Sequence, residues 1–302
     1  MKTKTARINT TWDPVTGCTL DQVTLHPDRL EEPLGWKEPR RIFVCGMGDL
    51  FNTDVPDKFI IDCLSAMAEA WWHTFILSTK HPRRMRKIFT HPTIANDVWL
   101  QTTRGVDAEP SPWPLPNVWL GVTVENQEQA DKRILALVQT PAVARFASVE
   151  PMLGPVNLSR WLKETCTNCG GLGRIPNHPH IVAHTCLRCR GNKKVYNPQL
   201  KWVICGGETG PETRPMYPVW VRNLRDQCQA AGVPFFFKQW GAWLPAEVTG
   251  ATFELEKLKD NEVVVQEDSV GRIMKKVGKK AAGRLLDGRE WNEYPGGNQH
   301  SK

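Results

Sequence analysis

The sequence predicts an α/β protein built as a complete or partial (β/α) TIM-like barrel, with a small zinc-knuckle insertion and a C-terminal β-hairpin and basic extension. Three observations point there. Short runs of β-favouring residues are apolar at successive positions, as in strands covered on both faces. Amphipathic helical patterns separate these runs, which implies parallel strands joined by right-handed crossovers. Two CxxC pairs interrupt the series late in the chain.

In chain order, "RINTTW" offers a short first strand, followed by "TGCTLDQVTLHPDRLEEPLGWKEPRR". Pro27, Pro33 and Pro39 discourage a long helix in that stretch, so an irregular crossover is expected. The apolar runs are "RIFVCGMGDLF" from Arg41, "HTFILSTKHP" from His73 and "NVWLGVTVEN" from Asn117. "ARFASVEPMLGP" from Ala144, "KWVICGGETG" from Lys201 and "VPFFFKQWG" from Val233 complete them. With the first strand they make seven, which favours a barrel over an open doubly wound sheet.

Three helices are legible between them. "PDKFIIDCLSAMAEAW" is amphipathic and follows Asp54–Pro56. "NQEQADKRILALVQT" puts Ile134, Leu135 and Val138 on one side, and "PVWVRNLRDQCQAAG" places Val219, Val221, Leu224 and Cys228 near one face before stopping at Gly232. The barrel is thus assigned to residues 1–160 and 200–243, the insertion to 161–199 and the extension to 244–302. Two alternating stretches in the extension predict a hairpin, followed by the basic "RIMKKVGKKAAGRLLDGR".

Polar residues follow each apolar run: Asp49, Lys80, Glu125, Asn126, Glu150, Glu208, Lys238 and Gln239. In a parallel barrel the C-terminal strand ends converge on one mouth, where catalytic groups collect. Loops are polar in any case, so no single member decides the matter. Glu150 before Pro151 and Glu208 after Gly206–Gly207 stand out, because glycines let backbone approach a ligand and a carboxylate can hold an amine or hydroxyl.

Cys166 and Cys169 form one CxxC, and Cys186 and Cys189 another, with sixteen residues between the pairs. Each turn aims two thiolates at one point, and two turns close a tetrahedral shell around zinc; iron is the alternative ion for this ligand set. A closed four-thiolate shell is structural and leaves no position for substrate. His178, His180 and His184 are therefore not expected as ligands. Arg174, Arg188, Arg190, Lys193 and Lys194 around the knuckles suit a polyanion, although a charge run also suits a solvated face.

The net charge of +7 is compatible with nucleic acid without requiring it. No apolar run approaches the roughly 20 residues of a membrane span. "MKTKTARINTTWD" lacks the apolar core of a secretion signal, so a cytoplasmic location is expected, and with it free thiols or metal ligands rather than disulfides.

Motifs distributed over most of the chain resemble one family. They are "WDPVTGC", "VTLHPDRL", "PRRIFVCGMGDLF", "STKHPRRM", "PNVWLGVTVENQ", "VEPMLGPV", "VICGGETGPETRPM", "AAGVPFFFKQWG" and "VGKKAAGRLLDGREW". In this order they are similar to phage-encoded, radical-SAM-like proteins of unknown function, often found near three-cysteine-motif partner proteins. The resemblance implies a (β/α) barrel whose first loop holds an iron–sulfur cluster on three cysteines, with one iron open to S-adenosylmethionine. It also implies that Glu150, Glu208, Lys80 and Lys238 contact cofactor and substrate. Cys18, Asp49, Glu125, Asn126, Gly206, Gly207 and Gln239 would complete the cofactor site.

The chain departs from that family at the cluster loop. Asp13 stands where Asn is usual, and "TLDQ" runs straight into "VTLHPDRL", without the CxxCY segment and its helix. Cys18 alone maps onto a cluster ligand. Cys45 and Cys205 fall late in their strands, which leaves a rebuilt set of Cys18, Cys45 and Cys205 open at this point; packing of small apolar thiols is the alternative.

Two functions follow. One is an enzyme of radical-SAM type or its descendant, acting on nucleic acid or a group linked to it. The other is a non-catalytic zinc-containing barrel that binds nucleic acid or a protein partner through its knuckles and basic tail. A cofactor-free hydrolase finds no support, since GxSxG, HExxH and GxxxxGK[ST] are all missing from the sequence.

Overall fold

A computed structural model describes residues 10–12, 19–46, 48–102, 112–162, 164–165, 174–175, 184–185, 194–195, 199–246, 262–267 and 270–296. The chain opens with β1 (Thr10–Trp12) and β2 (Thr19–Val23), and single 3-10 turns at Pro27–Arg29 and Glu32–Gly35 lead to β3 (Arg41–Val44). Then come α1 (Asp57–Glu69), β4 (Thr74–Thr79), α2 (Pro82–Phe89), α3 (Ile94–Leu100), β5 (Val118–Thr123), α4 (Gln127–Val138) and β6 (Ala144–Val149). After α5 (Ser159–Leu162) lie four two-residue strands: β7 (Glu164–Thr165), β8 (Arg174–Ile175), β9 (His184–Thr185) and β10 (Lys194–Val195). The chain continues through β11 (Trp202–Gly206), α6 (Pro218–Ala231) and β12 (Phe235–Gln239). It closes with β13 (Trp243–Ala246), β14 (Glu262–Glu267), β15 (Val270–Lys276) and α7 (Lys279–Ala282).

The central feature is a six-stranded parallel sheet in the order β12-β11-β6-β5-β4-β3. Strands follow one another in chain order with no reversal. That is the winding of a (β/α) barrel, not of a doubly wound sheet with its switch point, and the fold is α/β and compatible with a partial barrel. Continuous burial along β11, and along β6 at all positions but Arg145, explains why these strands read as apolar runs.

Three expectations need correction. Thr10–Trp12 of "RINTTW" do not join the parallel sheet: β1 pairs antiparallel with β2 in a separate two-stranded sheet, which leaves six parallel strands among the described residues, not seven. Strand propensity identifies an extended segment but not its partner. On α4 the buried positions are Ala130, Ile134, Ala136 and Leu137, while Leu135 is 56% exposed and Val138 only partly buried. The buried face is centred on Ala130, Ile134 and Leu137 and excludes Leu135, the neighbour of Ile134. On α6, Val221, Leu224 and Cys228 are buried as expected, Val219 only partly, and Gly232 ends the helix in the left-handed region at φ 64°.

The chain divides into two compact units, Met1–Val124 with Asp131–Ser148, and Glu125–Ala130 with Val149–Lys302. In the first, buried His73 fastens the crossover: its Nδ1 accepts from the Arg40 N–H at 3.1 Å, and Nε2–H then donates to the Pro33 carbonyl at 2.9 Å. In the second, residues 285–293 run along the outer side of β12. Asn292 bridges Phe236 in antiparallel fashion, and the Phe237 N–H donates to the Trp291 carbonyl at 2.9 Å. β13, β15 and β14 form a three-stranded antiparallel sheet in that order. No helix among the described residues is long and apolar enough to cross a membrane.

Candidate functional site

In the first unit the strand-end polar groups are spent on architecture. β3 is followed by Cys45, held at φ 55°, and the Gly48 N–H closes the turn on its carbonyl at 3.0 Å. Asp49 then ties this end to that of β4. Its Oδ1 accepts from Thr79 Oγ1 at 2.7 Å and from the Phe51 N–H at 3.0 Å, and its Oδ2 accepts from the Lys80 N–H at 2.7 Å. The side chain of Lys80 is exposed.

The second unit arranges its strand ends differently. Lys238 is the extra residue of a bulge on β12: Cys205 opposes Phe237, but Gly206 opposes Gln239. A bulge re-aims the side chain it carries. Lys238 Nζ reaches Glu150, beyond the end of β6, at 2.9 Å to Oε1 and 3.0 Å to Oε2. β11 lies between the strands that carry the two partners. It ends in Gly206, where a Cβ would sit 3.2 Å from the Glu150 carboxyl carbon. The missing side chain thus leaves room for Glu150 to cross the end of β11. The lysine is half exposed, while the carboxylate shows only 20% of its surface.

Gly207 serves a different contact from the one expected. A Cβ on it would lie 2.0 Å from the Trp240 carbonyl oxygen, so what approaches it closely is the neighbouring backbone. The Gly207 N–H donates to the Gln239 carbonyl at 2.9 Å, and the Ala242 N–H to the Glu208 carbonyl at 2.9 Å. Gln239 itself is buried.

Glu208 is gripped by Arg214, six residues on. Its Oε2 accepts from the Arg214 N–H at 2.8 Å and from Nε at 3.0 Å, and its Oε1 accepts from Nη2 at 2.7 Å. These hydrogen bonds hold the carboxyl pKa below its ordinary range. Arg214 was not anticipated from sequence. The available signal was the Gly210–Pro211 turn inside "GETGPETRP", which folds position i+6 back onto position i.

Asn126 caps α4, its Oδ1 accepting from the Gln129 N–H at 3.0 Å, and the Glu125 carbonyl accepts from the Leu153 N–H at 2.8 Å. Both belong to the second unit, and the Asn126 bond is that of a helix start.

The described residues do not fit an iron–sulfur cluster. Among them no group of three or more His, Cys, Asp or Glu is placed to hold a metal ion. Cys45 and Cys205 are buried, and burial pushes both thiols well above their ordinary pKa. Cys205 Sγ rests 3.7 Å from Met152 Sδ, as a small apolar group packs. Cys18, Cys166, Cys169, Cys186 and Cys189 lie outside the described residues.

Residues 19–295 match the model of a family described as protein of unknown function (DUF5131). The chain belongs to that family. No curated protein and no solved structure matches it significantly. The DUF5131 match spans both units, from the start of β2 to the segment beyond β12.

Proposed function

We propose that this DUF5131 protein is a radical-SAM-like (β/α)-barrel protein whose strand-end site in the second unit binds the amino-acid end of S-adenosylmethionine. The carrying observation is the Glu150–Lys238 pair, joined across the end of β11 by a bulge on one side and a glycine in the middle. A carboxylate and an ammonium held side by side match a ligand that carries an ammonium and a carboxylate on one carbon. Each protein charge can exchange its partner for the opposite charge of the ligand, so neither is left unpaired. Bound there, S-adenosylmethionine would supply an electrophilic sulfonium or, with a one-electron donor, a radical. The chain's own groups bind and orient it. No step is routed through a cluster, because the described thiols do not suit one.

Calorimetric titration with S-adenosylmethionine tests this reading. Wild-type protein should bind, and Glu150→Gln and Lys238→Met should each weaken binding about tenfold, roughly 1.4 kcal/mol. Wild-type protein that binds nothing, or variants that bind equally well, would overturn it.

A second reading, the zinc-containing binding protein, draws support from the insertion. β7 pairs with β10 and β8 with β9, both antiparallel, and in sequence each CxxC lies between a strand of one pair and a strand of the other. Metal analysis after anaerobic purification separates the two. The second reading expects one zinc per chain with no ligand response at Glu150, while iron with stoichiometric sulfide would put a cluster on cysteines outside the described set.

A further inference from the structure

The loop from β11 to α6 and the C-terminal sheet are bonded into one surface. The Ala242 N–H donates to Glu208, and the Val277 and Gly278 N–H groups donate to Ala242 at 2.9 and 3.0 Å, which places Lys279 and Lys280 directly after that ladder. Lys276 Nζ donates to the Pro211 carbonyl, and Trp243 Nε1 to the Thr213 carbonyl at 2.8 Å. Arg214 stands on the same loop with 63% of its side chain exposed. Of the two acids in this loop, Glu208 is paired with Arg214, and Glu212 is exposed.

Aromatic rings flank these cations. Tyr217 and Trp220 stack with centroids 4.1 Å apart and planes 15° from parallel, and both are partly exposed. Tyr217 also packs against the Ala242, Trp243 and Met274 cluster. Trp220 forms one wall of an open groove of about 690 Å³, with amides at Asn157 and Asn223. The groove's one carboxylate, Asp226, is paired with Arg225 at 2.8 Å. Cations on one side, a partly exposed ring and side-chain amides on the other, are what a single-stranded polynucleotide needs for its phosphates and its bases.

We propose that Lys276, Lys279 and Lys280, with the Tyr217–Trp220 pair, bind single-stranded nucleic acid beside the strand-end site. This inference rests on the reading of that site as a ligand site and names its substrate class, a polynucleotide. Duplex is the poorer ligand, since stacking on Trp220 requires unpaired bases.

Fluorescence anisotropy with a labelled single-stranded oligonucleotide, over a salt series, is the test. The triple variant Lys276→Met, Lys279→Ala, Lys280→Ala should bind at least tenfold more weakly. Its log–log salt slope should fall by about 2, near 0.7 per lost phosphate contact. Trp220→Ala should weaken binding while leaving the slope unchanged. An unaltered slope in the triple variant, or duplex bound as tightly as single strands, overturns the proposal. A wild-type chain that ignores nucleic acid overturns it too and leaves the surface to a protein partner. Calorimetry with S-adenosylmethionine on the triple variant should match wild type. Oligonucleotide binding without any S-adenosylmethionine binding would sink the site reading, and with it the substrate assignment, while leaving the surface in place.

Discussion

The strand ends of the two units carry similar side chains and use them in opposite ways. In the first unit Asp49 gives its oxygens to two backbone N–H groups and a hydroxyl, so the carboxylate is bound by the fold it holds. In the second, Glu150 and Glu208 give theirs mainly to long cationic side chains, each with half or more of its surface in solvent. A backbone donor cannot leave without breaking a turn, whereas a lysine or arginine can swing aside for a ligand. A polar strand end therefore becomes a candidate site only when its partner is able to move.

The adjacent glycines offer the strongest way to break this contrast. Gly207→Ala drives a Cβ into the Trp240 carbonyl and should cost on the order of 3 kcal/mol in urea unfolding, or prevent folding. Gly206→Ala meets only the movable end of Glu150; its stability loss should stay near 1 kcal/mol while S-adenosylmethionine affinity falls. Equal stability losses would erase the distinction between a backbone contact and a yielding one.

Asp49→Asn is the next largest. An amide cannot accept at both former oxygens, so Thr79 or the Lys80 N–H loses its partner, at about 2 kcal/mol. Ligand affinity should hold within twofold. A variant of normal stability that has lost affinity would move Asp49 to the ligand side of the comparison.

The smallest effect is one of pH. Because Arg214 depresses the pKa of Glu208, their pairing stabilises the fold above the ordinary carboxylate value of about 4.3 and is lost as pH falls through the lower folded value. Arg214→Leu should thus be slightly less stable than wild type at neutral pH, the gap closing below about pH 4. The exposure of Arg214 keeps it small. A gap that widens in acid would show that Glu208 is held by something else.

Much of the sheet was legible because burial on both faces leaves an unmistakable run of apolar residues, as in "FASV" and "WVICG". Partnership was not: Thr10–Trp12 is as strand-like as any, yet pairs with Thr19–Val23. At the candidate site, Glu150, Glu208 and Lys238 could be named from their positions after apolar runs. The bulge that aims Lys238 depends on register between two strands, which neither strand's sequence records. Likewise "GGE" announces close approach without saying what approaches, and here it is the chain itself at Gly207.

The segment along the outer side of β12 has a consequence for synthesis. Residues 285–293 leave the ribosome after every strand of the parallel sheet, and they satisfy hydrogen-bonding groups of Phe235 and Phe237 that the sheet leaves over. Until they emerge, a nascent chain presents an unfinished β edge rich in phenylalanine to its neighbours, the kind of surface that recruits other chains or chaperones. Ribosomes stalled shortly before Leu285 should therefore yield aggregating or chaperone-bound product, and full-length release should end that vulnerability.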